Sequence, residues 1–169
     1  MNLSAQAAAD LYELLRSRCI RCWVMGGWGV DALLGEQTRE HHDLDVLALG
    51  EDLPALGELF GEHGFGIQQV WEAENRWLEL DGSNWPTAFV AGTEEGVELD
   101  VHVIKFEAGA VVPLCNVAWP FDANSLQGRG VIGERSVECV SAGTQVAMHH
   151  GYELPQAHQC DVDLLRRLT

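Results

Sequence analysis

The feature that most constrains this sequence is a short apolar run, residues 44–49, with aspartates at its start. A run of this length between polar segments is typical of a buried β-strand. Because successive strand side chains point to opposite faces, Asp43 and Asp45 are expected on one face and Leu44 and Val46 on the other. Converging carboxylates repel each other unless a cation lies between them, and their hard oxygens suit Mg²⁺. An isolated Asp-x-Asp is more often a loop cap beside a solvent-facing acid, so a metal site needs further acids.

A second apolar run, residues 97–106, contains another inward-facing acid. Asp100 and His102 share one face of this run, and the leucine and valines around them share the other. If the two strands are neighbours, Asp100 completes the metal site or takes the proton from an attacking hydroxyl. Metal ions held by carboxylates are what phosphoryl transfer requires of a protein. Glu79 is an alternative general base.

A pair of glycines, Gly26 and Gly27, stands between a predicted strand and a predicted helix. Small residues in a tight turn at this point let backbone N–H groups approach phosphate oxygens at the positive end of the helix. Arg39 and His41 come just before the aspartate pair, so they are candidates for holding a triphosphate. Each of them alone is more often a solvated loop residue.

The remaining periodicity predicts an α+β fold in which a mixed sheet is flanked by helices. Helices are expected from the Ser4 cap to about Arg18 and over residues 28–34, 52–63, 141–152 and 160–168. Strands are expected over residues 22–25, 44–49, 67–71, 76–80, 87–91 and 97–106. Residues 111–127 lack a lasting period and residues 128–133 are turn-rich. We expect one domain over residues 1–169, with 142–169 as a C-terminal helical segment.

The charge restricts the partners of such a fold. Asp and Glu number 26 against 10 Lys and Arg, and the formal charge of −16 disfavours nucleic acid and anionic membranes. Cationic small molecules are attracted instead. The chain shows neither an export signal nor a run of about 18 apolar residues, so we expect a soluble, cytoplasmic protein. The five cysteines are then expected to be reduced, and the Cys19–Cys22 pair lacks the second pair of a zinc site.

Histidines and aromatic residues supply candidates for a substrate pocket. His149 and His150 are adjacent, and neighbouring helical residues point about 100° apart, so we expect only one of them, His149, to face the pocket or to cap the helix. Trp28, Trp77 and Trp85 lie in segments that build the proposed site, although tryptophans more often pack in the core. The candidate substrate-pocket residues are Trp28, Glu79, His102, His149 and Tyr152.

Two motifs near the amino terminus are more specific together than any single residue. They read Gly26-Gly27-Trp28-Gly29-Val30-Asp31 and Thr38-Arg39-Glu40-His41-His42-Asp43-Leu44-Asp45. With residues 76–80, 99–102, 139–141, 149–154 and 161–162, they resemble the small antibiotic nucleotidyltransferases, most of all the short lincosamide nucleotidyltransferases. The aminoglycoside 2''-adenylyltransferases share the motifs near the amino terminus and an acid that corresponds to Asp100. The tail from Cys139 onward is more similar to the lincosamide group.

The resemblance implies a nucleotidyltransferase core fold that uses Mg²⁺ with ATP or another nucleoside triphosphate. It implies transfer of AMP to a hydroxyl of a lincosamide antibiotic, with release of pyrophosphate and inactivation of the drug. The roles it implies are metal binding for Asp43 and Asp45, metal binding or general base for Asp100, and nucleotide binding for Gly26, Gly27, Arg39 and His41. Such enzymes often form dimers, so a homodimer with a shared acceptor pocket is also expected.

Other functions stay open at this point. Met25 and residues 157–159 depart from the more acidic lincosamide pattern, which bears on the acceptor. One alternative is therefore an aminoglycoside O-adenylyltransferase. A second is a non-catalytic drug-binding or nucleotide-binding module of the same fold, and a third is a transferase whose acceptor is a protein or a tRNA end.

Overall fold

The computed structural model describes residues 2–150 and 153–169 of the chain. Helix α1 (Ala5–Ser17) begins at Ser4, whose side-chain oxygen accepts a hydrogen bond from the backbone N–H of Ala7. It is followed by β1 (Cys22–Met25), α2 (Gly26–Leu34), β2 (Leu44–Leu49) and α3 (Leu53–His63). A single 3₁₀ turn, Gly50–Asp52, leads into α3. This alternation of helices and strands follows the order that the sequence predicts.

The second half of the chain adds mostly strands. These are β3 (Gly66–Val70), β4 (Trp77–Leu80), β5 (Ser83–Pro86), β6 (Ala88–Gly92), β7 (Glu98–Glu107), β8 (Ala110–Pro113), β9 (Gly128–Ile132) and β10 (Arg135–Cys139). Helices α4 (Ala142–Met148) and α5 (Gln156–Leu165) complete the described elements.

An eight-stranded mixed sheet organises these elements. Its order is β3-β6-β7-β2-β1-β10-β9, and β8 pairs with β7. The pairs β2–β7 and β1–β10 are parallel, and the remaining pairs are antiparallel. Strands β4 and β5 form a separate hairpin. The mixed sheet with flanking helices confirms the predicted fold class.

The two faces of the sheet are covered differently. Helices α1, α2 and α3 pack on one face, where Leu44, Val46 and Val101 are buried among their side chains. On the other face Leu47, Leu49 and Ile104 pack with Trp119 and with other residues of the irregular segment and α4. The predicted alternation along β2 and β7 is therefore correct. Asp45 alternates with Leu47 and Leu49 along β2, and Asp100 with Ile104 along β7, so both acids belong to the second face.

Several predicted boundaries are wrong, and each has a local cause. Gly26 and Gly27 do not form a turn before a helix but are the first residues of α2. Residues 128–133 are not a turn but mostly strand β9, because Gly130 lets that strand contact α2; a Cβ there would lie 2.4 Å from the backbone of Ala32. Residues 111–113 belong to β8, α4 ends at Met148, and α5 begins at Gln156.

Two further findings concern the helices and the cysteines of the chain. No helix in the described ranges is both long and apolar enough to pass through a membrane. All five cysteines are free thiols, with Cys22, Cys115 and Cys139 buried. Burial raises the pKa of the Cys22 thiol to about 12, which keeps it protonated at neutral pH.

Candidate active site

Three carboxylates converge where β2 and β7 lie side by side. The parallel register sets Asp45 directly opposite Asp100, and Asp43 stands just before β2. One oxygen from each of Asp43, Asp45 and Asp100 lies within 4.8 Å of the other two. Asp100 is 7% exposed, so the cluster is partly withdrawn from water.

The electrostatics of this cluster favour a bound cation. Burial, followed by the charges of Asp43 and Asp100, raises the pKa of Asp45 well above its usual value, and Arg39 opposes this only in part. Burial raises the pKa of Asp100 to about 6, although His102 and a hydrogen bond from Trp71 act in the opposite direction. Hard carboxylate oxygens at this spacing fit a divalent ion, which would offset the repulsion.

Asp100 is held by neighbours from two other segments. The indole N–H of Trp71 donates to both carboxylate oxygens of Asp100, with N···O distances of 3.2 and 3.1 Å. His102 Nδ1 lies 3.5 Å from Asp100 Oδ1, and its Nε2 lies 2.7 Å from Glu74 Oε2. The ring of Trp119 packs on His102 at a centroid distance of 5.0 Å. The hydrogen bond to His102 lowers the pKa of Glu74, so this acid is ionised at neutral pH.

The amino-terminal end of α2 approaches the carboxylates closely. Gly26 has a φ of 60°, and a Cβ added to it would lie 2.2 Å from Asp45 Oδ2. A Cβ on Gly27 would lie 2.2 Å from His41 Nδ1 and 2.8 Å from Arg39 Nη2. All three distances are too short for a real contact, so glycine is required for this approach. The positive end of the α2 dipole therefore faces the acidic cluster.

The Gly27→Ala variant tests that requirement. The added methyl group must displace His41 or Arg39, so we expect a lower affinity for nucleoside triphosphate, by roughly tenfold if one charge-assisted hydrogen bond is lost. Gly61→Ala is the matched control, because a Cβ at this helical glycine meets nothing within 4 Å. Titration calorimetry with Mg²⁺ and ATP measures both. Equal affinities of the two variants would contradict the argument.

His41 is fixed by a buried polar pair. Its Nε2 bonds to a carboxylate oxygen of Asp31 in α2, and the hydroxyl of Thr38 donates to the other oxygen. Asp31 and His41 are 2% and 3% exposed. Burial alone would raise the pKa of Asp31, but the hydrogen bonds from His41 and Thr38 outweigh it and lower the pKa. Trp28 packs on the His41 ring at a centroid distance of 4.6 Å.

The C-terminal helices close the opposite side of the site. Arg39 donates from Nη2 to Asp161 Oδ2 at 2.7 Å and from Nε to Asp161 Oδ1 at 3.2 Å. The rings of His149, just after α4, and His158 in α5 are in contact at a centroid distance of 5.3 Å. Burial, followed by the charge of His149, lowers the pKa of His158.

The three carboxylates, the amino-terminal end of α2, Arg39 and His41 line a cavity of about 380 Å³, a volume typical of small-molecule sites. A neighbouring hollow of about 500 Å³ shares Glu74, Trp119 and Met148 with it. Its remaining lining comes from residues 116–120, Ala147 and His150. Two of the shared residues, Glu74 and Trp119, contact His102, so the hollow adjoins the cavity on the His102 side.

The structure brings most of the predicted site residues together. The cavity is lined by Gly26, Gly27, Arg39, His41, Asp43, Asp45, Asp100, His102 and His149. Trp28 does not line it but lies beneath His41. Glu79 is exposed on the β4–β5 hairpin outside the cavity lining, and Trp77 on the same hairpin is 62% exposed. Tyr152 lies outside the described residues.

Sequence reasoning missed several residues that build this site. Among those that line the cavity are Trp71, Glu74, Trp119, His158 and Asp161. Asp31 does not line it but forms the hydrogen bond that holds His41. A lone acid in the apolar helix sequence GGWGVDALL was a usable signal for Asp31, because a buried charge requires a partner. Trp71, at the end of a predicted strand, and Glu74, in the polar segment that follows it, gave no such signal.

The fold and the site together define a class of protein. A mixed sheet with two acids at the start of one strand, a third acid on the adjacent parallel strand and a glycine pair opening a helix is the arrangement of metal-dependent nucleotidyltransferases. A profile of the family described as Aminoglycoside-2''-adenylyltransferase matches residues 8–165. The chain belongs to this family of antibiotic nucleotidyltransferases.

Individual relatives agree with that assignment. A lincosamide resistance protein of Staphylococcus haemolyticus is 26% identical over 165 residues, which cover 95% of this chain and 91% of that protein. A 2''-aminoglycoside nucleotidyltransferase of Escherichia coli is 41% identical over 58 residues, 32% of this chain and 29% of that protein. The lincomycin-bound lincosamide antibiotic adenylyltransferase LnuA has a similar fold, with a TM-score of 0.77, 22% identity and full coverage of both chains. ANT(2'')-Ia with adenylyl-2''-tobramycin gives a TM-score of 0.71 at 21% identity, covering 97% of this chain and 88% of that one.

Proposed function

We propose that the protein transfers AMP from ATP to a hydroxyl of a lincosamide antibiotic, using Mg²⁺ and releasing pyrophosphate. The observation that carries this proposal is the convergence of Asp43, Asp45 and Asp100 beside the glycine end of α2, in a cavity with room for a nucleotide. Carboxylates, a helix amino terminus and an arginine are the groups that phosphoryl transfer requires.

The choice of a lincosamide rests on how much of the chain each relative covers. The similarity to the lincosamide resistance protein extends over 95% of the chain, including the segments that line the second hollow. The similarity to the aminoglycoside nucleotidyltransferase is stronger per residue but covers only 32% of the chain. An aminoglycoside O-adenylyltransferase is therefore the second candidate. Glu74 borders both the cavity and the neighbouring hollow, and the chain has a net charge of −16. Both features suit a cationic acceptor of either class.

The proposed roles follow from the positions of the side chains. Asp43 and Asp45 would hold the Mg²⁺, which when bound neutralises the phosphate charge that develops during transfer. The amino-terminal end of α2, with Arg39 and His41, would bind the phosphates. The acceptor oxygen attacks the α-phosphorus, the bond from that phosphorus to the pyrophosphate oxygen breaks, and Asp100 accepts the hydroxyl proton. Asp100 lines the cavity directly opposite Asp45, so an acceptor hydroxyl bound there would lie beside both the base and the metal site.

Asp100 and Glu79 can be distinguished as general bases. Asp100→Asn is expected to lower kcat by roughly 100-fold or more, because a positioned base contributes about that much. Glu79→Gln is expected to change kcat less than about twofold, since Glu79 is exposed on the β4–β5 hairpin. Steady-state kinetics with saturating ATP and acceptor measures both variants. A larger loss in the Glu79 variant would reverse the assignment.

The experiment that tests the proposed function is pyrophosphate release by the purified protein with Mg²⁺ and ATP. The panel contains lincomycin, clindamycin, several aminoglycosides and a control without acceptor, and product masses are measured. Release only with a lincosamide, with the mass gain of one adenylyl group, is the expected result. Release only with aminoglycosides would overturn the choice of acceptor and support the second candidate.

The remaining alternatives predict different results in the same assay. A non-catalytic binding module would bind nucleotide without releasing pyrophosphate, but the presence of all three carboxylates favours an enzyme. A transferase acting on protein or tRNA would label those acceptors, and the negative charge disfavours tRNA. Because ATP is the proposed co-substrate, we expect the protein to act in the cytoplasm. We also expect a homodimer, which light scattering in solution would test.

A further inference from the structure

Asp161 is a buried acid of α5 that contacts the loop preceding the carboxylate cluster. It is 4% exposed, and both of its oxygens accept from the guanidinium of Arg39, a residue 122 positions earlier in the chain. A two-point contact of this kind fixes the plane of a guanidinium as well as its position. The orientation of Arg39 therefore depends on a residue from the far end of the sequence.

The contact leaves part of the guanidinium available. Of its five N–H groups, Nε and one on Nη2 go to Asp161, and one on Nη1 goes to the carbonyl oxygen of Glu40 at 3.3 Å. One N–H on each terminal nitrogen remains. Nη2 lies 2.8 Å from where a Cβ of Gly27 would be, so these groups lie at the amino-terminal end of α2. Among the described residues that line the cavity, Arg39 is the only arginine or lysine.

We propose that Asp161 is a positioning residue for the nucleotide: it orients Arg39 so that the two remaining N–H groups meet phosphate oxygens. This inference rests on the proposed nucleotide site. An arginine without such an anchor samples many rotamers and loses that freedom when it binds a ligand. The anchor removes this cost before the nucleotide arrives, and it couples the placement of α5 to nucleotide binding.

The sign of the effect separates positioning from simple charge. Asp161 is itself an anion in the cavity wall, so a triphosphate is repelled by it at long range. If charge alone mattered, replacing Asp161 with asparagine would strengthen nucleotide binding. Positioning predicts the opposite, because the neutral amide no longer holds Arg39 in a charge-assisted pair.

The test is a double-mutant cycle on nucleotide affinity, which needs no acceptor. Titration calorimetry with Mg²⁺ and ATP is applied to wild type, Asp161→Asn, Arg39→Gln and the double variant. Asp163→Asn is the matched control, because Asp163 lies on the same helix but is exposed and pairs with Arg166. We expect Kd to rise about tenfold in Asp161→Asn, to stay unchanged in Asp163→Asn, and to rise no further when Asp161→Asn is added to Arg39→Gln.

The outcomes bear on the two proposals separately. No binding of Mg²⁺ and ATP by the wild type would overturn the proposed function, and this inference with it. Wild-type binding with unchanged or tighter binding by Asp161→Asn would overturn only the inference. An equal rise in Kd in both Arg39 backgrounds, or loss of folding in Asp161→Asn, would assign Asp161 to the packing of α5 and overturn it too. With an acceptor, the expected change in Asp161→Asn is a higher KM for ATP at a nearly unchanged kcat.

Discussion

Replacing Asp45 with asparagine is expected to lower kcat/KM for nucleotidyl transfer by roughly 10,000-fold, because the loss of the metal removes several kcal/mol of transition-state stabilisation. The same variant is expected to be more stable than the wild type without metal. Asp45 faces Asp100 across paired strands, and Asp43 adds a third negative charge. An amide of the same shape removes one charge from that cluster and leaves the packing unchanged.

The pH dependence of stability follows from the raised pKa values. An acid whose pKa is higher in the folded protein than in the unfolded chain favours folding at low pH, and this contribution is lost as the pH rises through the folded pKa. The folded pKa of Asp100 is about 6, and that of Asp45 lies well above its usual value. The metal-free wild type should therefore lose stability as the pH rises above about 4, with the contribution of Asp100 lost as the pH passes about 6, and Asp45→Asn should lose less.

Thermal melting with and without Mg²⁺ measures this prediction together with the kinetics. The wild-type Tm should rise when Mg²⁺ is added at neutral pH, and the Tm of Asp45→Asn should not. Asp10→Asn is the control, since Asp10 is an exposed residue of α1 far from the cluster in sequence. Turnover of Asp45→Asn near the wild-type value would contradict the metal assignment. A lower Tm for Asp45→Asn than for the wild type, both without metal, would contradict the argument from carboxylate repulsion.

Replacing Asp31 with alanine is expected to destabilise the protein by about 3–5 kcal/mol, the usual cost of removing one partner from a buried polar pair. The substitution removes the acceptor of the Thr38 hydroxyl, which is exposed, and that of the His41 ring, which is only 3% exposed. Burying such a ring unpaired is costly. Asp31→Asn keeps an acceptor oxygen for one of these two groups, so the loss of stability should be smaller in this variant.

Urea unfolding across a pH series measures the Asp31 prediction. The pKa of Asp31 is lowered in the folded protein, so its stabilising contribution is present above the unfolded pKa and is lost as the pH falls through the folded value. The difference in the free energy of unfolding between wild type and Asp31→Ala should therefore be largest at pH 7 and should decrease below about pH 4. Asp163→Asn, at an exposed ion pair with Arg166, serves as the control. A gap below about 1 kcal/mol at pH 7 would show that the pair contributes little.

The strands that carry the catalytic chemistry could be predicted because their signal is local. Alternation within β2 and β7 identifies the face of each aspartate from a few neighbouring residues. The strands β9 and β10 were missed for the opposite reason. Glycines at 128 and 130 are typical of turns, and they lie in a strand because the backbone of Cys139 approaches Gly128 and that of α2 approaches Gly130. Their pairing depends on contacts that no local pattern encodes.

The site residues divide along the same line. The site residues on β2 and β7 and in the motifs at residues 26–31 and 38–45 could be identified from the sequence. Their hydrogen-bond partners come from distant segments. Trp71 reaches Asp100 across 29 positions, and Asp161 reaches Arg39 across 122. A hydrogen bond between such positions leaves no periodic trace in the sequence. Glu79 illustrates the converse, since it lies in an alternating run but on a hairpin separate from the main sheet.

The cavity that contains the carboxylates and the neighbouring hollow are built from different parts of the fold, and this difference bears on how the protein can evolve. The carboxylates stand on interior strands whose register fixes Asp45 against Asp100. The neighbouring hollow is bordered largely by residues 116–120, which belong to no helix or strand. Substitutions and short insertions in that segment change the shape offered to a drug without moving the reacting groups. A lineage with this architecture can broaden its resistance spectrum step by step while its catalytic rate stays intact.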